Sequence, residues 1–212
     1  MSISAAKMAA ALGGAGAVGT GGYFAVKNLP STPLSIRESL LKEEYKLISD
    51  IEDQSKRETQ YKNTFLVHRE DTKFLEEINK LKDGNENIAA SESGDKGKVA
   101  LEKLCSSYLS SADADKLKNA QQWCVLRVMD EEVSGRTWIP LGENKDDEWK
   151  SSFDENKDLL VSLKIKGIES TTDKDNGHSK VKEWCSSNSK LTVNKGSKDT
   201  ANHVKQICSK KT

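Results

Sequence analysis

Cys105, Cys124, Cys185 and Cys208 are the residues of this 212-residue chain with the most chemistry to offer, and each closes the same five-residue pattern. Leu101-Glu102-Lys103-Leu104-Cys105 is echoed by Ala120-Gln121-Gln122-Trp123-Cys124, by Val181-Lys182-Glu183-Trp184-Cys185 and by Val204-Lys205-Gln206-Ile207-Cys208. Spacings of three and four put the first apolar residue, the second and the sulfur on one face of a helix. The pattern therefore predicts four amphipathic turns with inward thiols, and a core that includes Leu104, Trp123, Trp184 and Ile207. Such thiols can form disulfides, stay reduced and buried, or ligate zinc. The zinc reading lacks support, because no CxxC and no nearby histidine pair supplies a compact ligand set.

Four cysteines allow three pairings, and sequence alone does not select one. Ser-Ser follows both Cys105 and Cys185, which suggests that Leu101 to Cys124 and Val181 to Cys208 are two copies of one unit. Each copy would be a helical hairpin with one cysteine per helix. Pairing within the hairpins, Cys105 with Cys124 and Cys185 with Cys208, is then favoured, because it joins helices that already lie together. Closing a loop of about 20 residues contributes roughly 3 kcal/mol on the chain-entropy account.

The other reactive side chains form no recognisable set. His68, His178 and His203 are scattered, with no HExxH pair and no triad order. Asp83-Gly84-Asn85-Glu86-Asn87 opens like a calcium loop, but its sixth and twelfth positions are Ile88 and Gly94. Asp173 to Gly177 fails likewise, with its glycine one place early and Trp184 at position twelve. The N-terminal glycines follow no strand and lack a Lys-Ser/Thr phosphate cradle. No catalytic residue, cofactor or metal ligand is assigned.

These side chains must be positioned by a wet, helix-rich chain. Charged residues make up 31%, aromatics 6%, and mean hydropathy is −0.68. Thirty-three basic and thirty-three acidic residues cancel, so nothing steers the protein to nucleic acid. A core this sparse gains from covalent staples.

Against that background, Met8 to Val26 is nineteen residues without a charge. A helix crossing a bilayer needs roughly 20 apolar residues, so the length permits a span. Ala5, Ala9, Gly13, Ala17, Gly21 and Ala25 fall four apart and would form a small-residue stripe suited to close helix approach. An uncleaved anchor, a secretory signal cleaved near Ala15-Gly16-Ala17, and a soluble Gly-rich tail are the competing readings. Pro30 and Pro33 then make residues 28–34 a short, stiff spacer.

A capping box at Ser35-Ile36-Arg37-Glu38 starts a helix expected to run from Ile36 to about Arg57 and, with or without a break, on through Gln60 to Lys82. Asp83 to Lys98, rich in Gly, Ser, Asn and charge, reads as a loop and a boundary. Asp130 to Asn144 reads as a turn-bounded loop around Trp138. Asp146-Asp147-Glu148-Trp149 opens a helix to about Leu160, with its acids where the helix dipole favours them. Strand competes with helix over Val161 to Ile165, and Thr171 to His178 reads as loop.

The Gly/Ala-rich N-terminal segment ending in Gly21-Gly22-Tyr23, the Ser35-Ile36-Arg37-Glu38-Ser39-Leu40-Leu41 start, the Trp123-Cys124 and Trp184-Cys185 dipeptides and Asp147-Glu148-Trp149 together resemble the paralogous families of small uncharacterised proteins of the hemotropic mycoplasmas. The resemblance spans nearly the whole chain. It implies a wall-less, blood-dwelling bacterium, surface exposure and antigenic variation, and it supplies no catalytic residues.

The expected architecture is thus mainly α: a transmembrane or signal segment over 1–27, a spacer over 28–34, a long helical stalk over 35–82, a flexible linker over 83–98, and a small domain of cysteine-bearing hairpins over 99–212. The expected function is a membrane-anchored surface protein, not an enzyme, for host interaction or antigenic variation. Its partners would be membrane lipid, through the N-terminal segment, and a host protein or a like chain. The alternative is a cytoplasm-facing, membrane-tethered scaffold. Disulfides favour the outer face of the membrane, or secretion after signal cleavage.

Overall fold

A computed structural model of the chain describes residues 33–212, so the expected membrane or signal segment and all but the last two residues of the spacer lie outside the described residues. Among the described residues, no helix is long and apolar enough to cross a membrane. Eight α-helices carry the fold: α1 (Ile36–Lys42), α2 (Gln54–His68), α3 (Thr72–Asn79), α4 (Asp95–Leu109), α5 (Ala114–Trp123), α6 (Asp146–Ser162), α7 (Lys174–Ser187) and α8 (Lys198–Ile207). Two three-residue strands, β1 (Arg136–Trp138) and β2 (Ser209–Lys211), pair antiparallel with Trp138 opposite Ser209.

The helix expected from Ile36 to Arg57 is broken after Lys42, and a second break after His68 divides its expected continuation to Lys82. The predicted capping box is present, with the Glu38 amide donating to Ser35 Oγ (3.2 Å) and the Ser35 amide to Glu38 Oε2 (2.8 Å). Yet α1 stops after seven residues, and Glu44 turns left-handed at φ 62°. Leu47 then bridges Val125, while the Ile48 amide donates to the Cys124 carbonyl (3.1 Å). Asp53 restarts the chain as α2 by accepting from the Lys56 amide (2.8 Å), and Asp71 does the same for α3 at Lys73 and Phe74. Apolar residues spaced for a helix serve equally well to hook an extended segment onto a neighbour, so periodicity misses these breaks.

Nor do residues 35–82 stand apart as a stalk. Ile36, Leu40, Tyr61, Phe65, Phe74 and Ile78 share one apolar cluster with Leu101, Leu104 and Trp123, because α2 and α3 both lie against α4. The supposed linker is held in place: Ile88 is buried, and Asn79 accepts from its amide and donates to its carbonyl. Glu92 accepts from the amides of Gly94, Asp95, Lys96 and Gly97, capping α4 with one carboxylate. A second cluster, from Val128 to Cys208, gathers Ile139, Trp149, Phe153, Leu160, Val181, Val204 and Ile207.

The two clusters are copies, and the duplication reaches further than the cysteine segments. The Ile36 amide donates to Ser111 as the Val128 amide donates to Leu191, both at 2.7 Å. Ile139 donates to the Cys208 carbonyl (3.0 Å) as Ile48 does to Cys124. Phe65 on α2 lies against Gly97 on α4, and Phe153 on α6 lies against Gly177 on α7. α3 has no counterpart between α6 and α7. That absence explains Trp184, expected in the core but only half-buried: its equivalent, Leu104, sits on the helix that α3 covers.

Three local expectations are also corrected. α6 runs to Ser162 and Lys164 turns left-handed at φ 53°, so Val161 to Ile165 forms no strand. Asp173 caps α7 through the Asn176 amide (2.9 Å), which places His178 on a helix. Within the expected loop Asp130 to Asn144, Arg136–Trp138 is a strand because β2 is there to pair with it.

Candidate functional site

Disulfides join Cys105 to Cys124 and Cys185 to Cys208, with Cα–Cα distances of 5.4 and 5.7 Å. All four sulfurs are buried, as are Leu104, Trp123 and Ile207. Cys124 and Cys208 are C-cap residues that end α5 and α8 beside the sulfur partner.

Each copy carries a polar stripe at i, i+4 and i+8, on α2 in the first and on α6 in the second. In the second copy Glu148, Ser152 and Asn156 run along α6, and all three have partners. Lys210 pairs with Glu148 (2.9 Å), Ser152 donates to the Ile207 carbonyl, and Gln206 donates to Asn156 Oδ1 (3.0 Å). The C-terminal strand β2 thus closes over α6. Arg136 reinforces the closure by donating to Ser209 Oγ and to the Gln206 and Ser209 carbonyls. Arg136 and Lys211 converge on Glu155 (both 2.9 Å) and hold its carboxyl down to about 2.

In the first copy the stripe is Gln60, Thr64 and His68 on α2, all buried. Val125 to Arg127 occupies the place of β2, but there it continues into the second copy. Gln60 donates weakly to Thr64 Oγ1 (3.4 Å), and His68 Nε2 has no partner. His68 packs on Phe74 with centroids 5.7 Å apart. Burial, aided by the positive charges of Lys190 and Arg127, pushes its imidazole down to about 4, so it is neutral at physiological pH.

The crossing segment is the seam between the copies. Leu126 donates to the Lys46 carbonyl on one side (2.8 Å), and Arg127 bridges Thr192 on the other. The Arg127 guanidinium is buried and grips Asp130 through Nε (2.8 Å) and Nη2. Glu131 takes Lys46 from the first copy (2.5 Å) and Lys205 from the second; burial opposes ionisation, but the two ammonium groups keep its carboxyl below the usual range. Asn194 donates to Tyr45 Oη (2.7 Å), and Lys198 pairs with Glu44 (2.6 Å). These contacts cross-link the copies into one body.

A shallow depression beside the seam is lined by Ile51, Ser55, Lys56, Thr59, Gln60, Leu126 and Asp130. Its one carboxylate, Asp130, is committed to Arg127. Among the described residues no three metal-ligating side chains converge, and no histidine bonds to a serine, cysteine or carboxylate. The arrangement supplies hydrogen bonds and rigidity rather than a proton-transfer pair. The spacing of Gln60, Thr64 and His68 was visible in the sequence, but only the second copy shows which partners such a stripe takes, and even there Glu148 Oε2 has none. No protein-family model, curated protein or solved structure matches the chain.

Proposed function

We propose that this protein is a membrane-anchored display module, which holds a duplicated, disulfide-stapled helical domain on the outer face of a cell for contact with a host or for antigenic variation. The carrying observation is the pair of buried disulfides, one at the same place in each copy. Bonds of this kind persist in oxidising compartments and are rare where thiol reductants circulate. The uncharged stretch Met8 to Val26 supplies the anchor, and a helix of that length matches a bilayer core. The resemblance to the hemotropic mycoplasma families supports surface exposure.

Protease shaving of intact cells tests the proposal. Cleavage in the spacer should release a domain carrying both disulfides into the supernatant. Complete protection in intact cells, with digestion only after permeabilisation, would overturn display and favour the cytoplasm-facing scaffold. A domain found in the medium without protease would indicate signal cleavage and secretion instead of anchoring.

A further inference from the structure

Large apolar side chains left open to solvent are few among the described residues: Leu34 is 52% exposed, Leu41 46% and Val99 38%. Two of the three sit together where the chain enters the fold. Leu34 precedes the Ser35 cap and Leu41 lies on the last turn of α1, so both exposed leucines flank the point where the tether enters, while Ile36 and Leu40 turn into the core. Lys42 lies beside them. Lys195 reaches the same place, donating from Nζ to the Lys42 carbonyl (2.7 Å) and from its amide to Glu43 (3.0 Å). Neither lysine forms a salt bridge among the described residues, although the exposed Glu43 and Glu44 temper their charge, Glu44 being paired with Lys198 and also under the field of Lys195.

Resting on the anchored reading above, we propose that this face, Leu34 and Leu41 flanked by Lys42 and Lys195, seats the domain on the surface of an anionic bilayer. The tether selects the occupant. Seven spacer residues, Asn28 to Leu34, reach at most about 25 Å when fully extended, and Pro30 and Pro33 stiffen them. An anchor ending at Val26 therefore holds α1 within reach of the headgroups at high effective concentration, where even two leucines suffice to dock. Leucine side chains enter the interfacial layer while lysines meet anionic headgroups, the division of labour of membrane-surface helices. Val99, near the other end of α4, lies about 18 Å along that helix from Ser111, which receives the Ile36 amide. It stays away from the membrane in this seating.

The test places a photoreactive benzoylphenylalanine at Leu41, or at Val99 as control, in the full chain reconstituted into vesicles of phosphatidylcholine and phosphatidylglycerol. Non-reducing electrophoresis checks that both disulfides persist. The expected result is a lipid adduct from position 41 and none from position 99. Lys42→Ala should lower the adduct yield about fivefold in the anionic vesicles and leave it unchanged in pure phosphatidylcholine. A chain that withstands carbonate washing but gives no lipid adduct at position 41 overturns the docking face and leaves the anchor standing. Adducts to residues 8–26 or to a second chain overturn it equally, since another occupant then covers the leucines. A chain washed off by carbonate overturns the anchored reading itself, and the docking face with it.

Discussion

Phe153 lies so close to the α7 backbone that a Cβ on Gly177 would fall 2.1 Å from its ring, and Phe65 meets Gly97 on α4 in the same way at 2.4 Å. Each copy therefore depends on one glycine to bring α2, or α6, against the helix that bears the first cysteine. Gly177 and Gly97 both stand eight residues before that cysteine. Gly→Ala ordinarily favours a helix interior by up to about 1 kcal/mol; here the ring would have to leave its site, and overpacking of this kind costs about 1–3 kcal/mol. Gly177→Ala and Gly97→Ala should each lower the denaturant midpoint. Phe153→Leu in the Gly177→Ala background should recover part of the loss, a coupling that a double-mutant cycle measures.

The buried imidazole of His68 gives a pH signature. Its pKa is about 4 when folded and ordinarily about 6.5 unfolded, so between those values the unfolded state binds more protons. Stability contributed by neutral His68 is complete above about pH 6.5 and falls as pH drops towards 4, by up to about 3 kcal/mol. Asn156 occupies the equivalent position on α6 and takes partners from Ser152 and Gln206. His68→Asn should therefore flatten the stability profile between pH 4 and 6.5. An unchanged slope would show that the imidazole is protonated or solvated in the folded chain.

Glu155 acts in a lower window and with the opposite ionic form. Its carboxylate is held to about 2 by Arg136 and then by Lys211, against an ordinary 4.5. The stability it supplies is present above about pH 4.5 and is lost as pH falls towards 2. Solvent screening of this part-exposed group keeps the gain to about 1 kcal/mol. Glu155→Gln should cost that much at neutral pH and less in high salt, read from urea unfolding at two ionic strengths.

At the start of α4 one carboxylate meets four amides. Glu92→Ala would leave those donors to water, and loss of a helix cap costs about 0.5–2 kcal/mol. Glu92→Gln keeps an acceptor and should cost less. Since α4 carries Cys105 and packs on α2, the first copy should open before the second in Glu92→Ala, visible as faster amide exchange in α2 and α4 than in α6 and α7.

The parts of this fold legible from sequence were those set by short spacings. The apolar-polar-polar-apolar-Cys pattern gave the buried cysteine faces, and Ser35 with Glu38 gave the first cap. What escaped depends on partners distant along the chain. Nothing local distinguishes Leu47 and Ile48 as residues that hook onto Val125 and Cys124 from members of a long helix. Arg136–Trp138 is a strand because Ser209–Lys211 returns beside it. The full duplication was hidden because α4 with α7, α5 with α8 and α2 with α6 each keep an offset of their own, shifted against one another by α3 and by unequal loops. Trp184 shares the pattern of Leu104, but its exposure is decided by a helix that its own copy lacks.

Two copies of one helical unit are each closed by their own disulfide. Peptide mass mapping of protein taken from native membranes after blocking free thiols tests this most directly. Linked peptides Cys105–Cys124 and Cys185–Cys208, with no blocked cysteine, are the predicted result. Four blocked cysteines, or any link between the copies, would contradict the account: the first would remove the case for the outer face, and the second would break the correspondence between the units.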